Sequence, residues 1–147
     1  MPSPRIFDLV LTLTGVDPTV WRRIRISSGA TLARAQRVFC VSLGWKGGRP
    51  YAFATGHLRY ESAATGRDDL VDVRLRQLLP DAGTSLEFEY GDGRRRVNVQ
   101  VERILPPNED IATPRCLAGE GAAPLEGPAA RLGFSVDVVN AELEKLR

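Results

Sequence analysis

LEFEYGDGRRRVNVQVERILP, Leu86 to Pro106, is the stretch that decides the fold. Asp92-Gly93 is the dipeptide that a two-residue type I′ turn requires, because both central residues need positive φ. A turn there sets Gly91 opposite Arg94, Tyr90 opposite Arg95, Glu89 opposite Arg96, Phe88 opposite Val97 and Leu86 opposite Val99. Leu86, Phe88, Val97, Val99 and Val101 then share one face, and Glu87, Glu89, Arg96, Asn98 and Gln100 share the other. Apolar side chains meet apolar ones and acid meets base across the strands. A three-residue loop would set Phe88 against Arg96, which the pattern disfavours.

Working outward, Ile6 to Thr14 reads as a strand with Phe7, Leu9, Leu11 and Leu13 inward, and Gly15-Val16-Asp17-Pro18 ends it. Val20 to Ile26 forms the second arm of a first hairpin. Val20, Ile24 and Ile26 lie on one side, with Trp21, Arg23 and Arg25 on the other. Thr31 caps a helix whose Leu32, Ala35, Phe39 and Leu43 recur at helical spacing; Gly44 closes it and Trp45 folds back onto the core. Pro50 to Glu61 is another short hairpin around Thr55-Gly56-His57, and Ala63 to Asp69 is a surface loop. Val73 to Leu79 is a helical turn or two stopped by Pro80.

No regular period survives from about 106 to 134, where Gly, Pro and Ala are dense; a loop of that length is functional or a wrapped covering. Ser135 then caps a last helix with Val138, Leu143 and Leu146 as its apolar positions. The sum is a single α+β domain over residues 1–147, a largely antiparallel sheet of hairpins packed against one main helix. At 147 residues with 43% hydrophobic and 26% charged side chains, the chain has the make-up of one soluble globular domain. No run reaches the roughly 18 apolar residues of a membrane span and no signal pattern opens the chain, so a cytoplasmic location is expected. Cys40 sits in the helical pattern and Cys116 in the polar loop, which implies no disulfide framework.

A series of landmarks runs nearly the length of the chain: Val20-Trp21-Arg22-Arg23-Ile24, Thr31-Leu32, Gly44-Trp45, Tyr51 and Phe53, Tyr90-Gly91-Asp92, Ile104-Leu105-Pro106, and Pro114-Arg115-Cys116-Leu117-Ala118-Gly119. In this order they resemble the Ri-plasmid ORF-three-like family, which includes insertion-sequence proteins labelled TnpR. The resemblance implies the α+β single-domain fold and a link to mobile elements, and no reaction. Typical members carry histidines after the Gly-Trp stretch and an aromatic and a histidine after the Gly-Asp turn. Here those places read Arg49-Pro50-Tyr51 and Arg94-Arg95-Arg96. A second loop cysteine of the family is replaced by the Ala123-Pro124-Leu125-Glu126-Gly127 run. A metal held through those groups in relatives would have lost its ligands in this chain.

A metal site needs three or four suitable ligands brought together. The chain offers the single histidine His57, the loop cysteine Cys116 and carboxylates such as Asp92, Glu120 and Glu126, so no metal and no cofactor is expected. A thiol or metal enzyme would have to use Cys116, Asp92, Glu126 and His57, with a base beside the cysteine. No P-loop, nucleophile elbow or dinucleotide fingerprint is present.

The basic features are Arg22, Arg23 and Arg25 on the second strand, Arg94, Arg95 and Arg96 at the hairpin tip, and Arg34 and Arg37 on the first helix. On one side of the sheet, the tip and the second strand would hold about two to four phosphates, with Trp21 as a stacking platform. Against this, Glu87 and Glu89 neutralise arginines across the strands, and a solvated, ion-paired sheet face is commoner than a binding site. Trp21 is either covered by the long loop or exposed to a protein partner. The sequence therefore reads as a non-enzymatic binding module contacting nucleic acid or a protein partner through Trp21 and the arginine-bearing strands.

Overall fold

The computed structural model describes residues 3–17, 19–62, 69–91, 95–123 and 134–147. In chain order the elements are β1 (Ile6–Leu13), β2 (Trp21–Ser27), α1 (Leu32–Leu43), β3 (Tyr51–Thr55), β4 (Leu58–Glu61), a 3-10 turn (Asp69–Val71), α2 (Leu75–Leu78), β5 (Ser85–Tyr90), β6 (Arg95–Leu105), β7 (Arg115–Glu120) and α3 (Val136–Glu144). The strands form one antiparallel sheet in the order β4-β3-β5-β6-β1-β2-β7. Three hairpins supply six of them; β6 against β1 joins the middle hairpin to β1–β2, and β5 against β3 joins it to β3–β4. The fold is α+β.

The β5–β6 pairing holds the register that the Asp92-Gly93 turn demands: Tyr90 faces Arg95, Glu89 faces Arg96, Phe88 faces Val97 and Leu86 faces Val99. Gly91 takes φ 72°, a left-handed backbone open to glycine without Cβ strain. Asp92, Gly93 and Arg94, and with them the Gly91–Arg94 pair, lie outside the described residues.

Alternation sorts the sheet into two faces. Leu9 and Leu11 of β1, Ile24 of β2, Phe53 of β3, Phe88 of β5 and Val97 and Val99 of β6 are wholly buried against Leu32, Ala35 and Phe39 of α1. Thr31 caps α1 by accepting from the Arg34 N–H, and Gly44 closes it at φ 77°. Trp45 folds back and stacks on Tyr90 with ring centroids 5.2 Å apart. The opposite face carries the polar residues of β2, β5 and β6 with Asp8 of β1, alongside Val10 of β1 and Ala52 and Ala54 of β3, and is the more open of the two.

Two expectations need correcting. The stretch from 106 to 134 is not irregular throughout, since β7 lies within it and adds to β2 as an edge strand. On α3 the buried apolar pair is Val139 and Leu143, four residues apart on one face, whereas Val138 is 61% exposed. No helix among the described residues is long and apolar enough to cross a membrane.

Candidate functional site

The open face of the sheet gathers the predicted contact residues that share the phase of Trp21. Asp8 of β1 stands opposite Arg25 on β2 and Arg103 on β6. Arg25 grips it with a fork: Nε donates to Oδ1 at 2.7 Å and Nη2 to Oδ2 at 3.0 Å. Arg103 adds Nη2 and Nε to Oδ2 at 2.8 and 3.2 Å. Covered by these two guanidiniums, the Asp8 side chain is 0% exposed. Burial raises its pKa, but the hydrogen bonds from Arg25 and Arg103, and then their charges, outweigh that and hold it below the ordinary carboxylate value.

One step along β2, Arg23 reaches Glu102 of β6, with Nη2 donating at 3.0 Å and Nε standing 2.9 Å from the other oxygen. Glu102 keeps step with Asn98 and Gln100 on this face, and the β1–β6 register slips between Asp8 and Leu9, so Leu9 pairs with Val101 and Arg103 comes opposite Asp8. The Arg23 guanidinium also lies 5.4 Å from the centroid of the Trp21 ring, and Trp21 Nε1 donates to Glu120 of β7 at 3.3 Å. Trp21 is half-buried, neither covered nor fully exposed. Asp8, Glu102, Arg103 and Glu120 are members of this surface that sequence reasoning did not select. Asp8 and Arg103 become legible only once β1 is known to pair with β6, a contact across some 95 residues of chain.

Of the remaining predicted arginines, Arg22, Arg95 and Arg96 do not join it. Arg22 is 3% exposed and belongs to the core. It keeps step with Val20, Ile24 and Ile26, so the alternation of the strand already assigned it to the buried side. Its Nε donates to the Ser42 carbonyl at 2.8 Å, and its Nη1 donates to the carbonyls of Trp21 at 2.8 Å and Glu120 at 3.1 Å. The Phe134 ring centroid lies 4.0 Å from its guanidinium carbon. Burial pushes its pKa down to about 10, which leaves it a cation at neutral pH. Arg95 and Arg96, as neighbours on a strand, point to opposite faces; Arg96 sits 3.6 Å from Glu87 on the open face. Its backbone is level with Thr14, at the other end of β1 from Asp8. Six residues of strand, roughly 20 Å, therefore separate Arg96 from Arg25. Arg94 lies outside the described residues.

Of the enzyme constellation, the two described members, Cys116 and His57, do not meet. Cys116 is in β7, not in a loop, and is 1% exposed behind α3. Asn140 of α3 accepts from its N–H at 2.7 Å and donates to its carbonyl at 2.9 Å. Burial pushes the thiol pKa up, and the positive charge of Arg22, which pulls the other way, does not prevail. His57 is exposed in the β3–β4 turn, at the far edge of the sheet from β7. With strands about 4.8 Å apart, the two are separated by roughly 25 Å or more. Asp92 and Glu126 lie outside the described residues. Among the described residues no three His, Cys, Asp or Glu side chains are grouped to hold a metal ion.

The sequence profile of the plasmid pRiA4b ORF-3-like protein family matches residues 5–136, from the start of β1 to the first residue of α3. The chain belongs to this family. Its fold is similar to the crystal structure of a protein of unknown function, MM3350 from Methanosarcina mazei Go1, with a TM-score of 0.70 and 24% sequence identity over 84% of this chain and 74% of that one. No curated protein matches the chain. The resemblance seen in the landmarks from Val20 to Gly119 is thus a family relationship. Within the pRiA4b ORF-3-like framework, two of its landmarks have structural duties here: Arg22 of the Trp-Arg-Arg run fills the core, and Gly119 makes room for it. A Cβ on Gly119 would stand 2.8 Å from the Trp21 carbonyl oxygen and the Phe134 ring and 2.9 Å from Cδ of Arg22.

Proposed function

We propose that this pRiA4b ORF-3-like chain is a non-enzymatic binding module whose contact surface is the open sheet face around Trp21, Arg23 and Arg25, and that its partner is a protein. One observation carries the proposal: the arginines beside Trp21 are held in fixed poses by carboxylates of neighbouring strands. A half-buried tryptophan flanked by immobilised arginines loses little side-chain entropy on docking, and Trp and Arg are the residues that dominate protein interfaces. The same carboxylates speak against a phosphate backbone, because Asp8 and Glu102, with Glu120 beside Trp21, offset the three charges of Arg23, Arg25 and Arg103 and leave no net positive charge to draw a polyanion. The buried Cys116 and the remote His57 support a non-enzymatic role. A cytoplasmic, mobile-element setting completes the reading.

A photo-crosslinking amino acid placed at position 21, with position 138 on the helix side as control, tests it in the native host. The expected result is a discrete protein adduct from position 21 alone, lost in Arg23→Glu. In parallel, mixed-sequence DNA and RNA are titrated by fluorescence anisotropy across salt. Binding at low salt that Arg23→Gln weakens would replace the protein partner by nucleic acid. Neither adduct nor binding would remove the module.

A further inference from the structure

We infer that a second, separate site binds a phosphate-bearing ligand: a cleft of about 910 Å³ at the α1 end of the sheet, edged by Arg5, Arg34, Arg74 and Arg76. The inference is independent of the sheet-face reading, because none of these arginines lies on that face.

Charge is the first argument. Among the described residues no aspartate or glutamate lines the cleft. On the open face arginines meet carboxylates, but none of these four forms an ion pair among the described residues. Arg74 Nη1 donates to the Gly29 carbonyl and Arg34 Nη2 to the Leu146 carbonyl, each at 2.6 Å. Neutral carbonyls orient a guanidinium without cancelling its charge, and each of these arginines keeps further N–H donors for a ligand. Four positive charges around one opening match a phosphate ester or polyphosphate better than a single carboxylate, and the planar fork of arginine suits phosphate oxygens. Glu109 lines a neighbouring hollow.

Rigidity is the second. The segment carrying Arg74 and Arg76 is stitched to the loop before α1. Leu32 N–H donates to the Val73 carbonyl at 2.8 Å, Leu75 N–H to Ala30 at 2.9 Å and Arg76 N–H to Ser28 at 3.0 Å. The Ser28 N–H in turn donates to the Arg5 carbonyl at 2.8 Å. Chain segments far apart in sequence thus hold Arg5, Arg74 and Arg76 at fixed separations. The α1 N-terminus adds little, since the Arg34 N–H is taken by Thr31 Oγ1 and the Ala35 N–H by the Thr31 carbonyl. The attraction comes from the guanidiniums.

Shape is the third. Beside the arginines the lining is partly apolar, with Pro4, Pro80 and Ile104, and the volume falls in the range of small-molecule sites. The cleft therefore suits a phosphate joined to an apolar or ring-shaped body. A free nucleotide and the 5′-phosphate end of a nucleic-acid strand share this chemistry.

The test is calorimetric titration of the full chain with ATP, and anisotropy with a short single strand bearing either a 5′-phosphate or a 5′-hydroxyl. Binding of ATP identifies a free-nucleotide site, and binding of only the phosphorylated strand identifies a strand-end site. In either case Arg76→Gln should weaken binding about tenfold and lower the salt slope by about one. Arg76→Lys should restore the slope but not the full affinity. Lys145→Gln on α3 should change nothing. Thermal melting of each variant separates lost binding from lost folding. Absence of millimolar binding of every probe at low salt, or binding by Arg76→Gln and Arg5→Gln equal to wild type, would overturn the site.

Discussion

Replacing Asp8 by Asn removes one charge from the middle of the open face while keeping its shape, and the cost can be reasoned from the geometry. Both Asp8 oxygens face guanidinium groups, and the side chain is 0% exposed. Breaking a buried ion pair typically costs about 3–5 kcal/mol, because the surviving charge is left without solvent or partner. A fully exposed pair is worth only about 0–1 kcal/mol. Here the survivors are intermediate, with Arg25 18% and Arg103 59% exposed, so water recovers part of the loss. The expected destabilisation is about 2 kcal/mol, between those limits. For a chain of 147 residues this is a fall in Tm of about 4–8 °C.

The pH dependence gives the sharper assay. Asp8 titrates below the value of about 3.9 that it has in the unfolded chain. A depressed carboxylate contributes stability that is complete above the unfolded pKa and is lost as the pH falls through the folded one. Urea unfolding of the wild type and Asp8→Asn should therefore show the full gap at pH 7 and a shrinking gap below about pH 3.9. Arg103→Met should cost well under half as much as Asp8→Asn, because Arg25 keeps the carboxylate paired. A gap under about 0.5 kcal/mol at pH 7, or one that persists unchanged to pH 2, would refute the ion-pair account.

Gly119→Ala should destabilise by about 1–3 kcal/mol in the same denaturation assay, since its Cβ would press on the Trp21 backbone, which has no flexible end to yield. Leu143→Ala should cost about 2–5 kcal/mol and Val138→Ala under about 0.5, and equal costs would show that α3 is turned the other way. A colourless-to-yellow disulfide reagent at pH 8 should find no fast thiol in the folded protein and two in denaturant, because Cys40 and Cys116 are both buried and burial raises the Cys116 pKa. One thiol titrating within seconds would contradict the placement of Cys116 behind α3.

The parts legible in the sequence are those where local rules suffice. The β5–β6 register follows from one dipeptide, because a two-residue turn leaves no freedom to slide. The α1 boundaries follow from Thr31 and Gly44, and its buried face from the spacing of Leu32, Ala35, Phe39 and Leu43. By contrast, β7 reads as loop, since Arg115–Glu120 offers small residues and a glycine instead of alternating large ones. Its glycine is explained only by what fills the Cβ position in space, the Arg22 side chain and the Phe134 ring. Arg22 itself was legible by phase and was obscured by its charge: a cation in step with Val20 and Ile24 reads as surface until carbonyls from Trp21, Ser42 and Glu120 are seen to receive it.

Electrostatics were the least legible part, for a reason that bears on both proposed sites. With 20 basic and 18 acidic side chains the net charge is +2, which describes equally well an evenly mixed surface and a segregated one. Cross-strand pairing decides between them. The sheet brings Asp8 to Arg25 and Arg103, Glu102 to Arg23 and Glu87 to Arg96, and so spends acidic groups on one face. These pairings do not extend to the α1 end, where Arg5, Arg34, Arg74 and Arg76 are found together without an ion pair among the described residues. The three consecutive arginines at the hairpin tip draw the eye in the sequence, yet alternation sends Arg95 and Arg96 to opposite faces. Four arginines scattered over some seventy residues converge instead, because the hydrogen bonds between the 28–32 and 73–76 segments bring their backbones together. Clustering in the sequence and clustering in space are thus close to opposites in this fold, and a phosphate is drawn by the second.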